Sequence, residues 1–402
     1  MQHNLVLLVT IATYVGVAVG RWPWLRANRA AIALFGAAVL LGLNAITLEQ
    51  AFAALDLSTL TLLFSMMVLN ANLRLCGFFG WVASKVMRLA RGPKSLLALI
   101  LATCAALSAL FLNDTICLML TPLVLEIALA VGRDPRPYLV AVALSANIGS
   151  VCTLTGNPQN MLIGISSQIG YVDFFLALAP VSLVGVVAAF VVLVAVYPAE
   201  FRGQQQWLPH KPQYSLYLPL LRKCLVAIAA LLVMFVAGVE VAKAALLCTS
   251  GLLISRRLDP PRIFADFDWQ LLVFFSGLFI VTGAIQTSGW SAEIVKLLLG
   301  LTGEGLVQLG ILTAALSNLV SNVPAVLLLR PLVGGLGDPQ QAWLMVAAFS
   351  TLAGNLTLLG SVANLIVAEQ ARPRVDLTFG FYLRAGVPTT VVTLLLAWLL
   401  IG

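Results

Sequence analysis

Ser108–Pro122 reads SALFLNDTICLMLTP and Ser317–Pro331 reads SNLVSNVPAVLLLRP. Laid together without a gap, they match Ser108 with Ser317, Asn113 with Asn322 and Pro122 with Pro331. Each places an Asn in the middle of an apolar run. Around Asn113 and Asp114 stand Leu110, Phe111, Leu112 and Ile116, with none of the Gly, Pro or charge clustering that marks an aqueous turn. A polar bend inside an apolar run is tolerated in a bilayer only where it is buried or lines a cavity. The two stretches therefore read as matched hairpin tips.

The surrounding sequence supplies the membrane. Of 402 residues, 61% are hydrophobic and 10% charged, against roughly a quarter charged in soluble domains, and the mean hydropathy is +1.01. Apolar stretches such as 5–20, 30–47, 174–196 and 379–401 approach the roughly 20 residues a spanning helix needs. They do not alternate as barrel strands would. No basic segment precedes the first stretch and no small-residue cleavage site is evident before Arg21, so it reads as a retained span rather than a signal.

Most of the 23 basic residues cluster in alternate connections: Arg21, Arg26 and Arg29; Arg74 through Lys94; Arg133 and Arg136; Arg202 through Lys223; Arg256, Arg257 and Arg262; Arg372 and Arg374. The positive-inside rule makes these cytoplasmic and explains the net charge of +7 without nucleic acid. The other connections hold Glu49, Asp56, Asp173, Glu240, Glu293, Glu304 and Asp338. Ten crossings follow, near 5–20, 30–47, 57–73, 138–170, 174–196, 218–238, 241–255, 269–287, 341–370 and 378–401, with both termini outside. Two stretches, 95–132 and 305–336, begin and end on one side. These are the hairpins, read as re-entrant.

The fold expected is thus an all-α polytopic membrane protein of about ten transmembrane helices plus two re-entrant hairpins. The repeat extends on both sides of the tips. Gly156-Asn157-Pro158-Gln159-Asn160 aligns with Gly360-Ser361-Val362-Ala363-Asn364, Asp173 with Asp376, and Phe64-Ser65 with Phe275-Ser276. Five crossings separate the first spans of the two copies, so the copies are inverted. Inverted repeats with interrupted helices support alternating access around a midplane site. The organisation is an N-terminal scaffold over 1–54, a first repeat over 55–197, a cytoplasmic linker over 198–217, connecting helices over 218–255 and a second repeat over 256–402.

Candidate site residues fall at tips and breaks: Asn113, Asp114 and Thr115; Thr155, Gly156, Asn157 and Asn160; Ser317, Ser321 and Asn322; Gly354, Asn355, Thr357, Gly360, Ser361 and Asn364. Helix N-termini exposed there suit an anion and C-terminal carbonyls a cation. Small polar residues also glue packed helices together, and each residue singly has that alternative. Asp114 is the ionisable group at depth, which costs roughly 2.5–3.5 kcal/mol on insertion scales. It is a candidate proton carrier, cation ligand or helix cap, and its repeat partner is Val323. Glu126 and Arg330 read as interfacial.

Six cysteines, without a CxxC pair, and only two histidines read as buried thiols rather than a metal centre. Cys117 and Cys152 lie near the motifs, which leaves a soft-metalloid thiol site as a minor alternative. No P-loop, HExxH or GxSxG occurs, so neither an enzyme nor an ATP-driven pump is indicated, and an ATPase partner would be a separate subunit.

The two Asn-centred tips, Thr121-Pro122 after the first of them, and GNLTLLGSVAN at Gly354–Asn364 resemble the ion transporter superfamily over residues 55–400. That superfamily includes ArsB arsenite-efflux permeases, NhaD-type sodium/proton antiporters and divalent-anion/sodium symporters. The symporters carry Ser-Asn-Thr at each tip. In Leu112-Asn113-Asp114 and Ser321-Asn322-Val323 only the Asn is kept in both, and Asn113-Asp114 with Thr121-Pro122 and GNLTLLGSVAN looks more like the ArsB and NhaD branch. The resemblance implies a scaffold, a mobile transport part and often a homodimer. It also implies secondary transport in a bacterial inner membrane of a small anion, arsenite-like oxyanion efflux first, coupled to H+ or to Na+ held near Asn113 and Asn322, with no other cofactor. Sodium/proton antiport, sodium-coupled dicarboxylate symport, and a passive channel or sensor are the alternatives.

Overall fold

The computed structural model describes residues 2–19, 27–202, 215–254, 260–302, 305–334 and 336–402. Arg21, Arg26, His210, Lys211, the linker prolines Pro209 and Pro212, Arg256, Arg257 and Glu304 lie outside them. The described residues are helical, with no strand among them. This is what lipid demands of a backbone that must satisfy its own hydrogen bonds.

The chain opens with α1 (Gln2–Val19), α2 (Arg29–Gly42) and α3 (Leu48–Ala54), the last bent by 57° onto α4 (Leu57–Leu75). After α5 (Phe78–Leu89) comes the first hairpin, α6 (Pro93–Leu110) and α7 (Asn113–Ala130). A broken span follows as α8 (Pro135–Ser150) and α9 (Pro158–Ser167), closed by α10 (Tyr171–Val196). The short α11 (Pro198–Phe201) begins the linker, and α12 (Leu218–Val236), α13 (Val241–Leu253) and α14 (Pro260–Ala265) lead to the second copy. That copy repeats the order: α15 (Trp269–Thr287), α16 (Trp290–Thr302), hairpin α17 (Leu306–Val320) and α18 (Asn322–Val333), broken span α19 (Pro339–Ala353) and α20 (Val362–Ala371), and α21 (Phe379–Ile401).

Among the described residues six single helices have the length and apolarity to cross a bilayer, and α3 with α4 would make a seventh. The remaining crossings expected from sequence fall on shorter apolar helices, α1, α2 and α13, and on the two broken pairs. The hairpins differ. Both arms of the first are 18 residues, long enough to span, whereas α17 and α18 have 15 and 12. Re-entrance of the first hairpin therefore rests on its tip rather than its length: Asn113 N donates to Gly156 O at 2.9 Å, docking the tip on the break within the adjacent span.

Local chemistry sets the starts of the spans. Asp56 and Asp268 accept from Thr59 N and Leu271 N, both at 3.0 Å, capping α4 and α15. Asp134-Pro135 and Asp338-Pro339 start α8 and α19 in the same way, each Asp accepting a backbone N–H and each Pro filling the first helical position. These two pairs, 204 residues apart, belong to the repeat. The connecting segments proved to be amphipathic helices, α5 and α16. The α5 helix keeps Phe79, Ala83 and Met87 inside and leaves Trp81 out, with Lys85 over its ring at 5.5 Å.

Two packed groups result. Helices α1, α2, α3, α4, α12, α13 and α15 hold one another, and α6–α10 interleave with α17–α21. The first span of each repeat thus packs with the scaffold. Exposed Leu183, Val187 and Val191 on α10 and Val226 and Val233 on α12 form outward apolar faces suited to acyl chains. At the linker, Tyr138 OH donates to Glu200 Oε1 at 2.9 Å and Arg133 stands 3.8 Å from the same oxygen. Burial pushes the Glu200 carboxyl above its ordinary range.

Candidate functional site

The two broken spans are built alike. Asn160 Nδ2 donates to Ser150 O and Thr153 O at 3.1 and 3.0 Å; 204 residues on, Asn364 Nδ2 donates to Gly354 O and Thr357 O at 2.8 and 2.9 Å. Each Asn satisfies carbonyls that the interruption frees. Gly156 and Gly360 are required by close approach. A Cβ on Gly156 would lie 2.6 Å from Ser150 O and 2.8 Å from Ser108 O, and one on Gly360 2.9 Å from Gly354 O and from Asn318 Oδ1.

The same spacing runs between halves. Ser361 Oγ donates to Asn147 Oδ1 at 3.2 Å, and Asn157 Nδ2 donates to Thr351 Oγ1 at 3.3 Å. Asn147 and Thr351 are repeat mates, as are Asn157 and Ser361, so each break is bonded to the opposite broken helix. Asn147 does more than Thr351. It also accepts from Asn113 Nδ2 at 3.0 Å and donates to Asn355 Oδ1 and Asn364 Oδ1 at 2.9 and 3.2 Å. The shorter Thr351 has no equivalent reach, and Asn160 Oδ1, the mate of Asn364 Oδ1, has no donor among the described residues. At the second tip the single Ser317 Oγ proton is shared between Asn322 Oδ1 at 2.5 Å and Ser350 O at 2.8 Å. Its neighbour Ser321 has φ 85° and ψ 158°, a region that side-chain-bearing residues avoid.

A cavity of about 530 Å³ lies between these elements and the scaffold. Both tips reach it, through Asn113 and Asp114 and through Ser321 and Asn322, and so do both breaks, through Pro158 and Gln159 and through Ser361 and Val362. Each pair opens a helix, so the N-terminal ends of α7, α9, α18 and α20 all face one space. The scaffold wall comes from Asn28 and Arg29 of α2 and from Asp268, Gln270 and Phe274 of α15, with Asn28 Nδ2 donating to Gln270 Oε1 at 2.8 Å. The lining follows α20 from buried Ser361 through half-buried Leu365 and Ile366 to exposed Glu369, close to the connection carrying Arg372 and Arg374. At 1.5 Å per residue that path is about 12 Å long.

Of the residues proposed from sequence, Asn113, Asp114, Ser321, Asn322 and Ser361 line the cavity. Thr115 lines a smaller chamber beside it and accepts from Asn70 Nδ2 at 3.3 Å. The others, Thr155, Gly156, Asn157, Asn160, Ser317, Gly354, Asn355, Thr357, Gly360 and Asn364, are not in the lining. Thr357 is half-buried and the rest are buried; this set frames the wall and shapes the breaks. Asp114 occupies the second position of α7 rather than its cap, and Asn113 Oδ1 takes the Asp114 N–H at 2.9 Å. Arg330 stands 3.8 Å from Asp56, away from the cavity. Cys117 and Cys152 are buried and outside the lining, and no group of three or more His, Cys, Asp or Glu is placed to hold a metal ion among the described residues.

Sequence reasoning missed Asn147, Gln159, Arg29, Asp268, Gln270 and Glu369. For Asn147 a signal existed, since it is a lone amide in the otherwise apolar or small-residue run Tyr138–Ser150. Arg29 was read only as a loop charge, and Asp268 was not singled out at all.

Comparison with known proteins agrees with this architecture. The rice protein "Silicon efflux transporter LSI3" is 30% identical, with 94% of this chain and 93% of that protein covered. The Dictyostelium discoideum "Putative transporter arsB" is 24% identical over 92% of this chain and 86% of its own. Among solved structures, the Alcanivorax borkumensis YdaH transporter, described as having an unusual topology, superposes with a TM-score of 0.60 at 15% identity, covering 100% of this chain and 97% of that one. The family profile described as "Citrate transporter" (CitMHS) matches residues 6–347, and this multi-pass membrane protein belongs to that transporter family.

Proposed function

We propose that the chain is a secondary active exporter of a small oxyanion or its hydroxylated weak acid, arsenite-like, coupled to a proton or sodium gradient by alternating access. The observation that carries this reading is the convergence of four helix N-termini and the amides of Asn113, Gln159 and Asn322 on one cavity. These groups offer partial positive charge and hydrogen bonds, which suit hydroxyl and oxyanion oxygens.

Charge selects among the solutes named by relatives. The cavity lining carries three carboxylates, Asp114, Asp268 and Glu369, against the single guanidinium of Arg29. A tricarboxylate would meet more negative than positive charge there. An oxyacid that is mostly uncharged near neutral pH meets no such penalty. The names of the rice and Dictyostelium relatives point the same way. Sodium/proton antiport is the second reading, favoured by two carboxylates, Asp114 and Asp268, on one wall. Because the lining runs toward the basic connections, we assign the state to one facing the cytoplasm of a bacterial inner membrane, with both termini outside.

The test is flux into proteoliposomes holding the purified chain. Arsenite or silicic acid should accumulate against its gradient when a proton or sodium gradient is imposed, and citrate should not. Downhill movement alone would make the protein a channel. Sodium/proton exchange with no solute flux would establish the second reading instead.

A further inference from the structure

Behind Asp114 lies a second chamber, of about 90 Å³, bounded by α4, α7, the start of α15 and α20. Asp114, Asp268, Leu271 and Ile366 line both spaces, so this chamber adjoins the larger cavity through one shared wall. Its own polar groups are Asn70, Thr115, and an Asp266 held 3.2 Å from Arg74. Asn70 is 3% exposed. Its Nδ2 donates to Thr115 Oγ1 at 3.3 Å, which leaves Oδ1 buried with no donor among the described residues.

We infer that this chamber is a site for one sodium-sized monovalent cation, with Asn70 Oδ1, Thr115 Oγ1 and the carboxylates of Asp114 and Asp268 as its oxygen ligands. A buried carbonyl oxygen is satisfied by a donor or a cation. Amide, hydroxyl and carboxylate oxygens together are the donor set of a hard cation. An amide oxygen does not take a proton near neutral pH, so a proton would leave Asn70 as it is. The volume corresponds to about three waters, room for one ion with part of its hydration shell and too little for that ion together with a polyatomic solute. The lining carries three carboxylates against one guanidinium, so a cation is favoured over an anion.

This assignment moves the sodium site from the Asn113 and Asn322 tips to the opposite side of Asp114. It rests on the transporter reading for its role: a cation here neutralises the wall that Asp114 presents to the solute cavity, one residue from the tip Asn113.

The experiment is 22Na+ binding to the purified full chain in detergent, with K+ as the competing control. The wild type should bind saturably and K+ should not displace the label. Asn70→Ala and Asp268→Asn should weaken binding by about tenfold or more, whereas Gln50→Ala, on exposed α3, should not change it. Gel filtration and a sharp thermal unfolding transition in detergent show that the weakened variants are folded. Absence of saturable binding in the wild type, or equal affinity in all variants, overturns the assignment. If the wild type drives arsenite uphill yet binds no sodium, this site falls while the exporter reading stands. If sodium binds as described and no solute moves uphill, the reverse holds.

Discussion

Ser361 Oγ donates to Asn147 Oδ1 at 3.2 Å, tying the break of the second half to the broken helix of the first. Asn147 is fully buried, and its amide also serves Asn113, Asn355 and Asn364. Replacing it with Leu keeps the forked shape in a somewhat larger side chain and removes every partner. Each buried polar group left unpaired costs about 1–3 kcal/mol, so Asn147→Leu is expected to lose about 3 kcal/mol or more of stability and to abolish transport. Asn147→Thr, which copies the repeat mate Thr351, should fall between. Thermal unfolding in detergent checks the order; an unchanged Tm for the Leu variant would show that the network holds nothing.

A methyl group at the breaks is predicted to act unequally. At Gly156 the added Cβ meets only backbone, Ser150 O, Ser150 Cα and Ser108 O, and neither helix can yield without moving. At Gly360 one of the nearest atoms is the Asn318 side-chain oxygen, which can rotate. Gly156→Ala should therefore destabilise by about 1–3 kcal/mol, the range of an overpacked core, and Gly360→Ala by less. Equal losses of Tm would contradict the geometry.

How far this was legible from sequence depends on which residues carried it. The tips Asn113 and Asn322 and the Asn160 and Asn364 breaks could be found because a polar residue in a long apolar run has few explanations, and because the pattern occurs twice. Membership of the cavity could not be read the same way. Asn157 and Ser361 are repeat mates with the same spacing, yet only Ser361 lines the space. Which face of a short helix turns inward depends on its packing angle, which no local pattern encodes. Arg29 and Asp268 were hidden for another reason: they stand at helix starts beside loop charges, and only the tertiary fold brings them opposite Asp114.

The second tip stores strain at Ser321, whose φ of 85° with ψ of 158° suits glycine. Such a conformation costs about 1–3 kcal/mol in a residue with a side chain. Ser321→Gly is expected to raise Tm, with a gain of about 1 kcal/mol after the greater entropy of unfolded glycine is subtracted. Ser321→Ala, which removes the hydroxyl and keeps the strain, should not. If the Gly variant is no more stable than the Ala variant, the tip is not strained in the membrane.

Asp114 faces both the solute cavity and the smaller chamber. In Asp114→Asn the shape persists and the charge does not. Arsenite exchange at zero gradient should stay within about a factor of three of wild type, because uniform solute binding is retained. Accumulation driven by a cation gradient should fall to the level seen without one. Gradient-driven accumulation that survives in the Asn variant, with unchanged pH and sodium dependence, would remove Asp114 from coupling.

Sidedness provides a test that does not depend on knowing the solute. Leu365 lies half-buried on the α20 face that lines the large cavity, between Ser361 and Glu369. Gln168 lies at the far end of α9, where a separate depression is lined by Ser167, Asp173 and Trp343. If the cavity opens toward the basic connections, a membrane-impermeant thiol reagent should modify Leu365→Cys in inside-out vesicles and not in right-side-out ones. Gln168→Cys should show the opposite pattern. Five of the six native cysteines are buried and Cys248 is partly so, which keeps the background low once Cys248 is replaced. Imposing a cation gradient that drives turnover should then slow or speed labelling of Leu365→Cys as the population shifts between states. Labelling that is equal from both sides and indifferent to the gradient describes an open pore, and alternating access would have to be abandoned.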